Sequence, residues 1–220
     1  MTDPAIPGFI TDWFDSIETD PLTDVLGDPE TTAIFSTDMI NAFLRIGPLA
    51  SERVNAIAEP VVSLFTRSWD LGVREFVLLQ DTHDPNTPEF ASYPPHALVG
   101  TKESETIPEL AALPFAERFT VIEKNSLNPA IGTIFDSWLA EHEHITNAIV
   151  VGNCTDLCVY QLAMHLRIRA DAFNLSDFNV IVPEDCVATF DNPTHPGDYF
   201  HQHFLYHMAS NGIRIVRALT

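Results

Sequence analysis

Cys158 stands where a strand-like run gives way to a helix-like one, and that placement suits a nucleophile. The segment reads Ile149-Val-Val-Gly-Asn-Cys-Thr-Asp-Leu-Cys-Val159. Ala148 to Val151 is continuously apolar, as a buried parallel strand is. Gly152 breaks the run, and Thr155 and Asp156 offer capping oxygens. Cys158, Leu162, Met164 and His165 then follow at helical spacing. A thiol in a first helical turn meets unpaired backbone N–H groups and the positive end of the helix dipole. Its pKa, about 8.5 for a free cysteine, is expected to fall there by a unit or more. Two more apolar segments end in groups that such a thiol needs. Phe119-Thr-Val-Ile-Glu-Lys124 ends in one of only two lysines, the other being Lys102, and Ala33-Ile-Phe-Ser-Thr-Asp38 ends in an acid. Asp38 can take the thiol proton and Lys124 can hold the thiolate. The same three residues also fit a plain Asp–Lys ion pair beside a buried cysteine.

A second group is Asp81-x-His83, with His96 later in the same segment. These nitrogen and oxygen donors suit one divalent ion, Zn, Fe or Mn, with Glu89 placed as a fourth ligand. A surface loop with ordinary histidines is the competing explanation, since the chain has nine of them. His201, His203 and His207 share one helical stretch and read as solvated or structurally satisfied. Phe43 and Tyr93 follow strand ends and could sandwich a flat ring, although either could be core.

The elements that must position these groups alternate. Strands are expected at 33–38, 75–80, 119–124, 148–151, 178–182 and 213–216. Helices are expected from Ser51 to Asp70, closed by Gly72, then near Ala130–His142, after Cys158, and over Gly197–Ser210. A long Pro- and His-rich loop, Thr82 to Pro108, has the length of a functional loop. This order predicts an α/β fold: a three-layer α/β/α, Rossmann-like arrangement around a mainly parallel six-stranded sheet with right-handed crossovers. Ligands bind such sheets at the carboxyl ends of the strands. Residues 1–30, rich in Asp, Pro and Thr, read as an N-terminal extension that wraps a single domain at 31–220 or forms an interface.

Composition narrows the partners. With 31 acidic against 11 basic residues the formal charge is −20, which argues against nucleic acid and anionic membrane. The acid excess also fits an adaptation to salt. No apolar run is long enough to span a bilayer, and the acidic start, Met-Thr-Asp-Pro, is unlike a secretory leader. Three cysteines, Cys154, Cys158 and Cys186, form no paired framework and suit a reducing cytoplasmic compartment. Cys154 and Cys158 lack the spacing and companions of a zinc site.

Taken together, these segments resemble the isochorismatase-like cysteine hydrolases. The matching residues are Asp38-Met-x-Asn-x-Phe43, Asp81-x-His83, Tyr93-Pro-Pro-His96-x-x-x-Gly-Thr101, Lys124 and Gly152-x-x-Thr-Asp-x-Cys-Val159. Within the family they are most similar to nicotinamidases of the plant-type branch, as are Asp185-Cys-Val-Ala-Thr-Phe-Asp191 and His195-Pro. The resemblance spans residues 31–217. It implies Asp38, Lys124 and Cys158 as a catalytic triad, and Asp81, His83, His96 and by placement Glu89 as metal ligands. It implies a cis peptide between Asn153 and Cys154, and an oxyanion site made by the N–H groups of Cys154 and Cys158. It implies hydrolysis of nicotinamide, a small-molecule substrate, to nicotinate and ammonia in NAD salvage. A related small amide, or a silent binding protein, are the alternatives, and a homo-oligomer is expected. Ile40 and Tyr93 stand where many relatives have Gln and Trp.

Overall fold

The computed structural model describes residues 4–220; Met1–Asp3, part of the start read above as unlike a secretory leader, lie outside the described residues. Seven strands form one parallel sheet: β1 (Thr32–Thr37), β2 (Glu75–Asp81), β3 (Thr120–Lys124), β4 (Asn147–Asn153), β5 (Asn179–Pro183), β6 (Val187–Ala188) and β7 (Arg214–Val216). The order is β3-β2-β1-β4-β5-β7. β4 pairs with β5 over Asn147–Ile149 and then with β6 over Gly152–Asn153. The six expected strands are all present. β6 adds a seventh, and at two residues it is too short to carry a periodic signal.

The helices are α1 (Gly8–Asp15), α2 (Leu22–Leu26), α3 (Asn41–Leu44), α4 (Glu52–Asn55), α5 (Ala58–Asp70), α6 (Pro108–Ala111), α7 (Phe135–Glu141), α8 (Cys158–Ala172) and α9 (Gly197–Ser210). The sheet separates two apolar layers. One joins Ile34, Phe76 and Leu78 to Val61, Leu64 and Phe65 of α5. The other joins Phe35, Val77 and Leu79 to Val159, Leu162 and Leu166 of α8 and to Leu205 and Met208 of α9. Successive strand residues thus serve opposite faces. Every residue of β1 is buried, as a central parallel strand requires.

Two helices differ from expectation. The single helix from Ser51 to Asp70 is broken at Ala56–Ile57. Pro60 has no N–H to give the Ala56 carbonyl, so the helix restarts with Pro60 in the first turn of α5. The helix expected near Ala130 begins only at Phe135, after Gly132 adopts a φ of +75°. Gly72, with φ +110°, closes α5 as expected. α1 lies on α9, with Phe9 and Trp13 edge-on to Tyr206, while Leu22, Val25 and Leu26 of α2 enter the first apolar layer. Among the described residues, no helix is long and apolar enough to cross a membrane.

Candidate active site

Three neighbouring strands and one helix start converge at the carboxyl edge of the sheet. Lys124 ends β3, whose residues are alternately exposed and buried. The pattern sends Ile122 and Lys124 inward and Val121 and Glu123 out. Lys124 Nζ lies 2.9 Å from Asp38 Oδ2, 2.5 Å from Asp81 Oδ1 and 3.5 Å from Cys158 Sγ. Asp38, Asp81 and Cys158 present ligand atoms within 4.8 Å of one another. Asp38 follows β1 with φ +55°, a left-handed conformation that Asp tolerates better than most residues. Its N–H donates to Leu79 O, and its carbonyl accepts from Asn153 Nδ2 at 2.7 Å. Its Oδ1 accepts from the Asp81 N–H at 2.7 Å. Asp38 is therefore fixed from both neighbouring strands.

Close approach of β1 and β4 depends on Gly152. Its φ is +112°, and a Cβ there would lie 2.0 Å from Thr37 O. The next peptide, Asn153–Cys154, is cis. The chain then turns through Thr155 and Asp156 into α8, which places Cys158 in the first turn and buries it. Neither the Cys154 nor the Cys158 N–H has a hydrogen-bond partner among the described residues. Cys154 sits in this turn, not on the helix beside Cys158.

The electrostatics correct one expectation. Burial, seconded by the Asp38 and Asp81 charges, pushes the Cys158 thiol well above the ordinary range, and Lys124 is the opposing influence. The helix start alone does not yield a resting thiolate. Burial and the Asp81 charge also raise the Asp38 carboxyl, which makes it a better proton acceptor. For Asp81, burial works upward, but Lys124 and His83 overcome it and the carboxyl is lowered. Burial works against the Lys124 ammonium, yet Asp38, Asp81 and Cys158 hold its pKa well above normal. Cys154 is pushed up to about 12, by burial and then by Asp156.

Beside this group, ligand atoms of Asp81, His83 and His96 lie within 4.8 Å of one another, all three residues buried. The segment after β2 folds back so that the His83 N–H donates to Ala97 O and Val99 N–H to His83 O. His83 Nε2 is 3.5 Å from Asp81 Oδ2 and 3.9 Å from Glu89 Oε1; His96 Nε2 is 4.0 Å from Asp81 Oδ2. His83 Nε2 is buried without a hydrogen-bond partner, while its Nδ1 is 3.1 Å from Asn125 Oδ1. His96 Nδ1 is likewise 2.9 Å from Pro94 O. With each Nδ1 donating outward, both Nε2 lone pairs point to one spot, and the donor set fits a divalent ion. Burial, then the Asp81 charge, raises the Glu89 carboxyl.

Asp38 and Cys158 of the first group and Asp81, Glu89 and His96 of the second line one cavity of about 640 Å³, with Phe43 and Tyr93. These two rings flank His96, at centroid distances of 5.4 and 6.4 Å. Several contributors were missed in the sequence. Asn125 directly follows Lys124 and shows no signal of its own. Leu127, Phe190, Asn192 and His195 line the cavity, three of them from the segment after the inconspicuous β6. The helical histidines make structural contacts: His201 with Thr155 and Glu184, His203 with Tyr199 O, His207 with Tyr160.

The Isochorismatase domain matches residues 32–218. Nicotinamidase 1 of Arabidopsis thaliana is 28% identical over 236 residues, covering 92% of this chain and 91% of that protein. The crystal structure of nicotinamidase PncA from Bacillus subtilis superposes with a TM-score of 0.69 at 28% identity, over 85% of this chain and 99% of that one. A pyrazinamidase of Pyrococcus horikoshii in complex with zinc shares the fold, with a TM-score of 0.68 at 22% identity, over 84% and 98% of the two chains. The chain belongs to the isochorismatase family of hydrolases.

Proposed function

We propose that this hydrolase converts nicotinamide to nicotinate and ammonia through a thioester on Cys158. The observation that carries this reading is that Asp38, Cys158, Asp81 and His96 line one cavity, with Lys124 in contact with the first three and His83 beside Asp81 and His96. In the first half-reaction Asp38 accepts the Cys158 proton as Sγ attacks the carboxamide carbon. Lys124 balances the charge on sulfur and on Asp38. The N–H groups of Cys154 and Cys158 receive the oxyanion. Asp38 returns the proton to the leaving nitrogen, and ammonia departs. In the second half, Asp38 takes a proton from water, the hydroxide opens the thioester, and the thiol is regenerated. The raised thiol and raised carboxyl suit this order, because the proton moves only when substrate arrives. Asp81, His83 and His96, with Glu89 nearby, would hold a divalent ion, zinc, iron or manganese. When bound, such an ion supplies a Lewis-acid contact for a substrate ring nitrogen. Phe43 and Tyr93 are suited to flanking the ring.

Ammonia release from nicotinamide, with and without a chelator, tests the assignment. Wild-type protein is expected to release it and Cys158→Ala to release none. Cys154→Ala retains most activity, since only its backbone is used. Turnover by Cys158→Ala, or none by metal-reconstituted wild type, overturns the reading.

A further inference from the structure

We propose that Asp156 and His195 form a clamp that sets the shape of the substrate cavity by fixing its 189–195 wall to the turn carrying Cys158. This role presupposes that the cavity described above is the substrate pocket. Asp156 is buried midway between Cys154 and Cys158. Its Oδ1 accepts from Thr189 Oγ1 at 2.5 Å, and its Oδ2 lies 2.8 Å from His195 Nε2. A carboxylate only accepts, so the ring donates from Nε2. On its other side, His195 Nδ1 is 3.1 Å from Phe190 O. The imidazole lies flat between two rings, 3.9 Å from Phe190 at 17° and 4.0 Å from Phe200 at 6°.

Apart from the clamp, the Gly197 N–H donates to Asp191 Oδ1 at 2.7 Å, which ties the wall to the start of α9 and not to the turn. Asn192 and His195 exchange both backbone hydrogen bonds with each other, so the hairpin they close is satisfied internally. Residues 191–194 are exposed. Two hydrogen bonds joining segment 189–195 to the turn 154–158 end on the Asp156 carboxylate, and the Cys154 thiol adds weaker contacts to the Thr189 side chain and the Phe190 backbone. β6 brings the segment alongside β4, and the Thr155 N–H donates to Ala188 O at 3.0 Å. Beyond that point Asp156 makes the charged link across. Removing either clamp partner frees Phe190, Asn192 and Thr194, which line the cavity, while leaving Asp38, Lys124 and Cys158 in contact.

His195 and Asp156 are thus positioning residues, and two thiol reagents distinguish that role from a chemical or merely structural one. Iodoacetamide is small and reports whether Cys158 reacts. N-phenylmaleimide carries a ring and reports whether the wall admits it. Both are scored at Cys158 by peptide mass spectrometry. In His195→Ala and Asp156→Asn the iodoacetamide rate stays within about twofold of wild type. N-phenylmaleimide gains about tenfold on it, the effect of losing one hydrogen bond to a charged partner. His195→Gln, which keeps a donor for Asp156, recovers part of the difference. The double variant shows no more change than either single one. With nicotinamide the clamp variants raise KM about tenfold and leave kcat within about threefold. An unchanged reagent ratio, additive effects, or an iodoacetamide rate that falls in step with turnover overturns the clamp. If His195→Ala does not fold, His195→Gln and Phe200→Leu carry the same comparison. Wild type without activity on nicotinamide overturns the substrate assignment alone, because the reagent ratio needs no substrate.

Discussion

Asp81 and Lys124 are register partners on the last rung between β2 and β3, and their side chains meet at 2.5 Å. Only Oδ1 of Asp81 faces the ammonium; Oδ2 turns toward His83 and His96. One carboxylate thereby joins the candidate metal-ligand cluster to the ammonium beside the thiol.

Loss of His83 and loss of Asp81 therefore have different effects. His83→Ala is expected to abolish stoichiometric metal in elemental analysis, a loss exceeding the roughly 10–100-fold typical of outer-shell changes. Cys158 alkylation by iodoacetamide should stay near the wild-type rate. Asp81→Asn is expected to lose the metal and also to speed alkylation, because one of the two carboxylate charges that raise the thiol is gone. Equal alkylation by the two variants contradicts this division.

Lys124→Ala is predicted to destabilise the fold as well as the reaction. It leaves Asp38 and Asp81 buried together without a cation, a loss of about 3–5 kcal/mol. Lys102 is exposed, and Lys102→Ala should stay within about 0.5 kcal/mol of wild type. Urea unfolding measures both. A Lys124→Ala protein as stable as wild type shows that the ion pairs are not formed.

Gly152→Ala should be among the most damaging single-methyl additions in the chain. The added Cβ meets backbone at 2.0 Å, at a φ that L residues rarely adopt. A loss of about 4 kcal/mol or more is expected, read as failure to accumulate folded protein or as a large fall in Tm. Near-native stability would show that β1 and β4 are spaced more widely.

Away from this site, acid stability should depend on Glu184. Burial alone would raise its carboxyl, but His201 and then Arg217 hold it below the ordinary carboxylate range. A carboxyl depressed in the folded state contributes stability above its unfolded pKa and loses it as pH falls through the folded one. Glu184→Gln should therefore lower Tm at neutral pH, and the gap should close as the pH falls below about 4.5. A constant gap across that range argues against the ion pair.

Much of this organisation was legible in the sequence because strands buried on both faces read as apolar runs, and Asp38, Asp81 and Lys124 stand where those runs stop. The helix break before α5 was missed: Pro60 signals it, but the surrounding helical periodicity masked it. The state of Cys158 was not legible. Helix position argues for a thiolate, whereas two carboxylates brought in from other strands argue against it. Segment 189–195 was noticed only through the resemblance, and its place in the cavity wall was not legible: β6 is set by pairing with β4, and the contacts of His195 span 39 residues to Asp156.

β3 has a consequence beyond carrying Lys124. Among the described residues it is an outer strand, bonded only to β2, and two of its five residues, Val121 and Glu123, are exposed. Asp38 and Cys158, by contrast, extend from β1 and β4 in the interior of the sheet. The ammonium is thus cantilevered from the rim into a rigid centre. Outer strands open most readily in native-state fluctuations, so peeling β3 back would withdraw the cation while the thiol and its acid stayed in place. Such an opening would silence the enzyme before any global unfolding, and amide exchange along residues 120–124 would mark the moment of inactivation.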